Sequence, residues 1–111
     1  MEKDDKLRKK LTELIRNRKY FVAFGQERPT RWWFGKVIDP RNSDYFTIEG
    51  SWDFIAQILE EGYPIKEKDL DKPSGEIGYV LLYDASEGQI YIKFELCEDA
   101  VIGRSFHYSH D

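Results

Sequence analysis

Residues 89–108 read QIYIKFELCEDAVIGRSFHY, and this stretch is the strongest indication that the chain forms a β-sheet. Apolar side chains occupy every second position from 90 to 96, with polar or amphipathic side chains between them. Because successive side chains of a β-strand point to opposite faces, the pattern predicts a strand at 89–97 with one buried face. The polar pair at 98–99 then turns the chain into a second predicted strand at 101–108, so that the two form an antiparallel hairpin.

The register of this hairpin brings polar side chains together. If the turn centres on Asp99, Tyr91 faces His107 and Lys93 faces Ser105. All four side chains then lie on one face of the sheet, whereas a shift of one residue would place Tyr91 and His107 on opposite faces.

The same register makes one residue difficult to place. Ile102 and Phe106 are expected on the buried side, and Arg104 falls beside them. An unpaired guanidinium buried there would cost free energy. Either Arg104 reaches around an edge to a carboxylate, or a β-bulge near Gly103 changes its direction.

Upstream of the hairpin the sequence predicts two amphipathic helices. The first spans 3–18, and the second is opened by Gly50 and Ser51, with Ser51 as N-cap and Asp53 in the first turn. Gly62 is well placed to end the second helix. The predicted buried stripes are Leu7, Leu11, Leu14 and Ile15 in the first helix, and Phe54, Ile55, Ile58 and Leu59 in the second.

The rest of the chain supplies further strands. Three are predicted at 20–25, 31–38 and 45–48, joined as a meander by turns at 26–30 and 39–43. A polar loop at 66–75 leads to another strand at 78–83. The order α-β-β-β-α-β-β-β predicts a single α+β domain over residues 1–111, with a mostly antiparallel sheet of about six strands and the helices packed on one face.

Composition narrows the classes of function. A hydrophobic fraction of 41% and 15% aromatic residues are typical of a folded core, and the net charge of −4 argues against general coating of nucleic acid. The single cysteine, Cys97, and the lack of a signal-like or membrane-length apolar run predict a cytoplasmic protein with no membrane contact. Two histidines without ligand-like spacing predict no metal site and no cofactor.

The hairpin residues have a chemical interpretation. Cleavage of RNA through its 2′-hydroxyl requires an acid, a base and positive charge near the phosphate, and it requires no metal. Histidine is the natural acid near neutral pH, lysine and arginine stabilise developing charge, and tyrosine hydrogen-bonds phosphate or stacks on a base. The same residue types are also common on solvated strand faces, so the pattern alone leaves both interpretations open.

A resemblance favours the chemical interpretation. The run Gly-Gln-Ile-Tyr-Ile-Lys at 88–93, followed by Val-Ile at 101–102 and Ser-Phe-His at 105–107, resembles the end of MqsR-type toxins in the RelE-like group of mRNA-cleaving toxins. In that family the tyrosine and a lysine after Ser-Phe are implicated in cleavage. The resemblance implies catalytic roles for Tyr91 and His107, with Lys93, Arg104 and Ser105 supporting them. It also implies an RNA substrate and a cognate antitoxin as partners.

A second cluster combines basic and aromatic residues around the first predicted hairpin. Such a mixture suits stacking on unpaired bases, and it equally suits a protein interface. The alternative function is therefore a non-enzymatic binding module with a protein target, such as an immunity protein, an antitoxin or an inhibitor. The candidate RNA-binding or partner-binding residues are Arg28, Arg31, Trp32, Trp33 and Arg41.

Overall fold

The computed structural model describes residues 2–22, 30–70 and 76–110, and within them the chain forms two α-helices and a six-stranded sheet. The elements are α1 (Glu2–Arg16), β1 (Tyr20–Val22), β2 (Arg31–Trp32), a 3₁₀ helix (Phe34–Lys36), α2 (Ile48–Glu60), β3 (Lys66–Asp69), β4 (Ile77–Ala85), β5 (Gly88–Cys97) and β6 (Ala100–Tyr108). The strand order is β1-β6-β5-β4-β3, and β2 also pairs with β6. The predicted α+β class and the mostly antiparallel sheet are confirmed.

Both helices pack on one face of this sheet, as the apolar stripes predict. Leu11 and Ile15 of α1 are buried, together with the whole predicted stripe of α2. They meet the alternating apolar side chains of the central strands, since the core includes Ile90, Ile92 and Phe106. No helix within the described residues is long and apolar enough to cross a bilayer.

The start of α2 differs from the prediction, whereas its end agrees. The N-cap is Thr47, whose Oγ1 accepts a hydrogen bond from the Gly50 N–H at 2.9 Å, so the predicted cap at Ser51 is wrong. Ser51 lies inside the helix and is buried, and Asp53 falls beyond the first turn. Gly62 ends the helix in a left-handed conformation (φ 91°), as predicted.

The predicted meander between the helices is wrong. β2 ends at Trp32, and of the predicted strand at 45–48 only an isolated bridge between Ile38 and Tyr45 exists. β1 and β2 instead pair in parallel with β6, β1 at 101–103 and β2 at 105–106. The turn predicted at 39–43 is present. The prediction for 23–25 and most of the turn at 26–30 lie outside the described residues.

The edge strand β3 occupies part of the region predicted as a loop. Its four residues, Lys-Glu-Lys-Asp, are all exposed and pair antiparallel with β4. They lack the apolar alternation by which strands are recognised. Charged side chains on an edge strand protect it from pairing with other chains, and this explains why the strand carries so little sequence signal.

Candidate functional site

The predicted register of the last hairpin is confirmed. Tyr91 pairs with His107 and Lys93 pairs with Ser105, on the sheet face opposite the helices, which we call the outer face. The rings of Tyr91 and His107 stack, with centroids 5.5 Å apart and planes inclined by 22°. The structure therefore brings together four of the five residues that the sequence predicts as catalytic.

A β-bulge in β6 decides where the fifth residue lies. Lys93 pairs with Ser105, but the next residue, Phe94, pairs with Gly103, so Arg104 is the extra residue of β6. The bulge reverses the alternation on its far side. Ile102 pairs with Glu95 and lies on the outer face, so the expectation that it would join Phe106 on the helix side is wrong.

Arg104 forms a buried ion pair on the outer face. Its Nη1 donates to Oε2 of Glu95 at 2.5 Å, and both side chains are 4% exposed. Of the two alternatives considered from the sequence, the bulge near Gly103 is present, whereas the route around an edge is not, because the carboxylate that Arg104 binds lies inside the protein. The guanidinium of Arg104 is thus engaged with Glu95.

The imidazole of His107 is held in a fixed orientation. Nδ1 lies 2.7 Å from the carbonyl oxygen of Tyr108, and a carbonyl only accepts hydrogen bonds, so Nδ1 carries a proton. Proton transfer at this residue would therefore use Nε2. The ring lies between Tyr91 and Trp33, whose centroid is also 5.5 Å away, and the residue is 7% exposed.

Trp33, His107 and Tyr91 form a continuous row, which we call the aromatic row. Cations lie at both ends. Lys68 Nζ is 3.5 Å from the Tyr91 hydroxyl and 5.9 Å from its ring centroid. At the other end, Arg31 Cζ and Lys36 Nζ lie 5.8 Å and 5.6 Å from the Trp33 centroid. Such distances are those of cation–π contacts.

Sequence reasoning missed Lys68 and Lys36 as members of this face. Lys68 comes from β3, which carries no alternation, and Lys36 comes from a 3₁₀ helix in a predicted strand. Glu95 lies on the same face as Tyr91 and Lys93, as the alternation of β5 predicts.

The second predicted cluster divides into separate locations. Trp32 enters the core, where its ring stacks on Trp52 at 4.7 Å, whereas Trp33 stays on the outer face. Arg31 is exposed on the outer face with Trp33. Arg28 lies outside the described residues. Arg31 and Trp33 are thus the members of this cluster that adjoin the aromatic row.

Arg41 lies elsewhere and braces the turn before α2. Its guanidinium binds the carboxylates of Asp39 and Asp53, each at 2.7 Å, and lies over the ring of Phe54. The hydrogen bonds with Asp39 raise the pKa of Arg41 despite partial burial. These contacts hold the turn to the helix, away from the outer face.

Among the described residues no group of three or more histidine, cysteine or acidic side chains is placed to hold a metal ion. Comparison of the chain with known protein families, with curated proteins and with solved structures found no match.

Proposed function

We propose that this domain is a metal-independent endoribonuclease of toxin type, similar in chemistry to the RelE-like toxins. The observation that carries the proposal is the contact between the rings of Tyr91 and His107, 5.5 Å apart on a face that also presents Lys93 and Ser105. The imidazole can supply the acid and the ammonium group the positive charge that RNA cleavage requires, and the hydroxyl can hydrogen-bond the phosphate.

The reaction begins when the 2′-hydroxyl oxygen of one nucleotide attacks the adjacent phosphorus. The bond from phosphorus to the 5′ oxygen breaks, which leaves a 2′,3′-cyclic phosphate on one fragment. Protonated His107 donates from Nε2 to the leaving 5′ oxygen, and water takes the proton of the 2′-hydroxyl. Tyr91 donates a hydrogen bond to a non-bridging phosphate oxygen, while Lys93 and Lys68 stabilise the developing negative charge.

Incubation of the purified protein with end-labelled RNA in EDTA tests this proposal. Wild-type protein should yield fragments with cyclic-phosphate ends, and Tyr91→Phe and His107→Gln should lose most of that cleavage. The matched controls are Tyr45→Phe and His110→Gln, which change the same residue types at exposed positions. Equal cleavage by wild type and the two site variants, or none by wild type, would end the proposal.

The burial of His107 favours a second candidate function. A ring that is 7% exposed meets a substrate only after neighbouring side chains move. Phe21 and Trp33 are exposed on the same face, and aromatic residues of this kind dominate protein interfaces. The alternative is a non-enzymatic module, such as an immunity protein, an antitoxin or an inhibitor, and capture of one stoichiometric protein partner by wild type but not by Trp33→Ala would support it.

A further inference from the structure

We infer that Trp33 is a base-binding residue, which stacks on an unpaired nucleobase next to the phosphate held at Tyr91 and His107. The inference rests on the proposed function for the location of that phosphate. It adds a requirement for single-stranded RNA that cleavage chemistry alone does not impose. A base that is paired and stacked in a duplex cannot reach the tryptophan ring.

The fold holds Trp33 outward. Trp32, the last residue of β2, fills the core, whereas the ring of Trp33, which follows the strand, lies against His107 on the outer face. The backbone N–H of Trp33 donates to the carbonyl of Phe106 at 2.9 Å, which fixes the ring beside His107. The residue remains 39% exposed, so part of its indole faces solvent.

The surroundings of the indole suit the sugar–phosphate chain that accompanies a stacked base. Arg31 reaches it from β2, and the 3₁₀ helix that follows returns the chain so that Lys36 reaches it too. Both cations are exposed and can exchange a cation–π contact for a phosphate. Aromatic rings flanked by basic side chains are how proteins hold single strands without reading their sequence.

The spacing of the row connects this stacking position to the proposed cleavage position. His107 lies 5.5 Å from Trp33 on one side and 5.5 Å from Tyr91 on the other. One nucleotide can place its base on Trp33 and its phosphate at Tyr91. The bound strand would cross the sheet from β2 towards β3, where Lys68 lies beyond Tyr91. A duplex, with its bases covered, could not use Trp33.

Binding of an uncleavable probe tests the inference without relying on catalysis. The probe is a fluorescently labelled 2′-O-methyl oligonucleotide, whose blocked 2′ oxygen cannot attack phosphorus, followed by fluorescence anisotropy. Trp33→Ala should weaken binding by a factor of about 10 to 100, the range expected for one stacked base. Trp33→Phe should retain most of the affinity, and Tyr45→Ala, at an aromatic residue 63% exposed, should match wild type.

Two competitors separate stacking from charge. Unlabelled single strand should displace the probe, and the same strand annealed into a duplex should displace it poorly. Inorganic polyphosphate should bind wild type and Trp33→Ala equally, because the cations remain. Equal oligonucleotide affinity of wild type and Trp33→Ala would overturn the inference. So would a Trp33→Ala protein that loses as much affinity for polyphosphate as for the oligonucleotide, or a wild-type protein that binds no single strand.

The outcomes distinguish the two proposals. Wild-type protein that binds the strand through Trp33 but never cleaves RNA supports the base site and refutes the nuclease. Cleavage that depends on His107, with binding indifferent to Trp33, supports the nuclease and refutes the base site. If Trp33→Ala shows altered folding by circular dichroism, Trp33→Leu, which keeps apolar bulk without a ring, replaces it and should show the same loss.

Discussion

Removal of either member of the buried Glu95–Arg104 pair should destabilise the domain far more than removal of both. The two side chains are 4% exposed and their charged atoms lie 2.5 Å apart. Each ion was desolvated to reach this position, and the attraction of the other offsets that cost. In Glu95→Leu or Arg104→Met the remaining charge stays in the interior and loses the partner 2.5 Å away that offsets its desolvation.

The expected loss of unfolding free energy in each single variant is large for a small domain. Breaking a buried pair from one side costs about 3–5 kcal/mol, against a total stability of about 5–15 kcal/mol for native proteins. The double variant, with two apolar side chains of similar volume, should lie within about 1 kcal/mol of wild type or exceed it. The coupling between the two substitutions should therefore be about as large as the two single losses together, about 6–10 kcal/mol.

Urea unfolding followed by tryptophan fluorescence and by far-ultraviolet circular dichroism measures all four proteins. Arg16→Met is the surface control, because the ion pairs of Arg16 with Glu60 and Asp53 are about half exposed and should each be worth under about 1 kcal/mol. The prediction is contradicted if Glu95→Leu and Arg104→Met lower the free energy of unfolding no more than this control does. It is also contradicted if the double variant loses the sum of the two single losses.

Two further predictions concern the helix side of the sheet. Partial burial disfavours the charge of Asp53, but hydrogen bonds from two arginines outweigh it and lower its pKa below the ordinary 3.8, so its stabilisation is present above about pH 4 and is lost as the pH falls through the lowered pKa. The unfolding free energies of wild type and Asp53→Asn should converge on acidification, and a gap independent of pH would contradict the assignment. Gly103→Ala should destabilise by about 1–3 kcal/mol in urea unfolding, because the added Cβ would lie 2.8 Å from Trp32 and 3.0 Å from Trp52, whereas Gly35→Ala, with nothing within 4 Å, should not.

The parts of the fold that the sequence predicts well depend on local periodicity. The alternation at 89–97 defines both faces of β5, and the short turn sets its register with β6, so the pairing of Tyr91 with His107 follows directly. The helical stripe from Phe54 to Leu59 is equally local. In each case the spacing of the apolar residues identifies the element, and this spacing can be read from a single sequence.

The parts that could not be predicted depend on distant partners. β1 and β2 pair with β6 about 75 to 80 positions further along the chain, and no local pattern specifies a parallel partner. β3 consists of charged residues, so Lys68 cannot be placed beside Tyr91 without knowing that the strand exists. The bulge was foreseen as one alternative for Arg104, but its effect on Ile102 required the exact residue at which the register shifts.

The parallel pairing of β1 and β2 with β6 affects how the chain folds during translation. Both early strands leave the ribosome long before their partner does, since the pairing joins residues 20–22 to 101–103 and residues 31–32 to 105–106. A nascent chain can form its helices and the β4–β5 hairpin first, but Trp33 acquires its neighbour His107 only when the last strand has been synthesised. Closure of such long loops slows folding, so the outer face is the last part of the domain to be assembled.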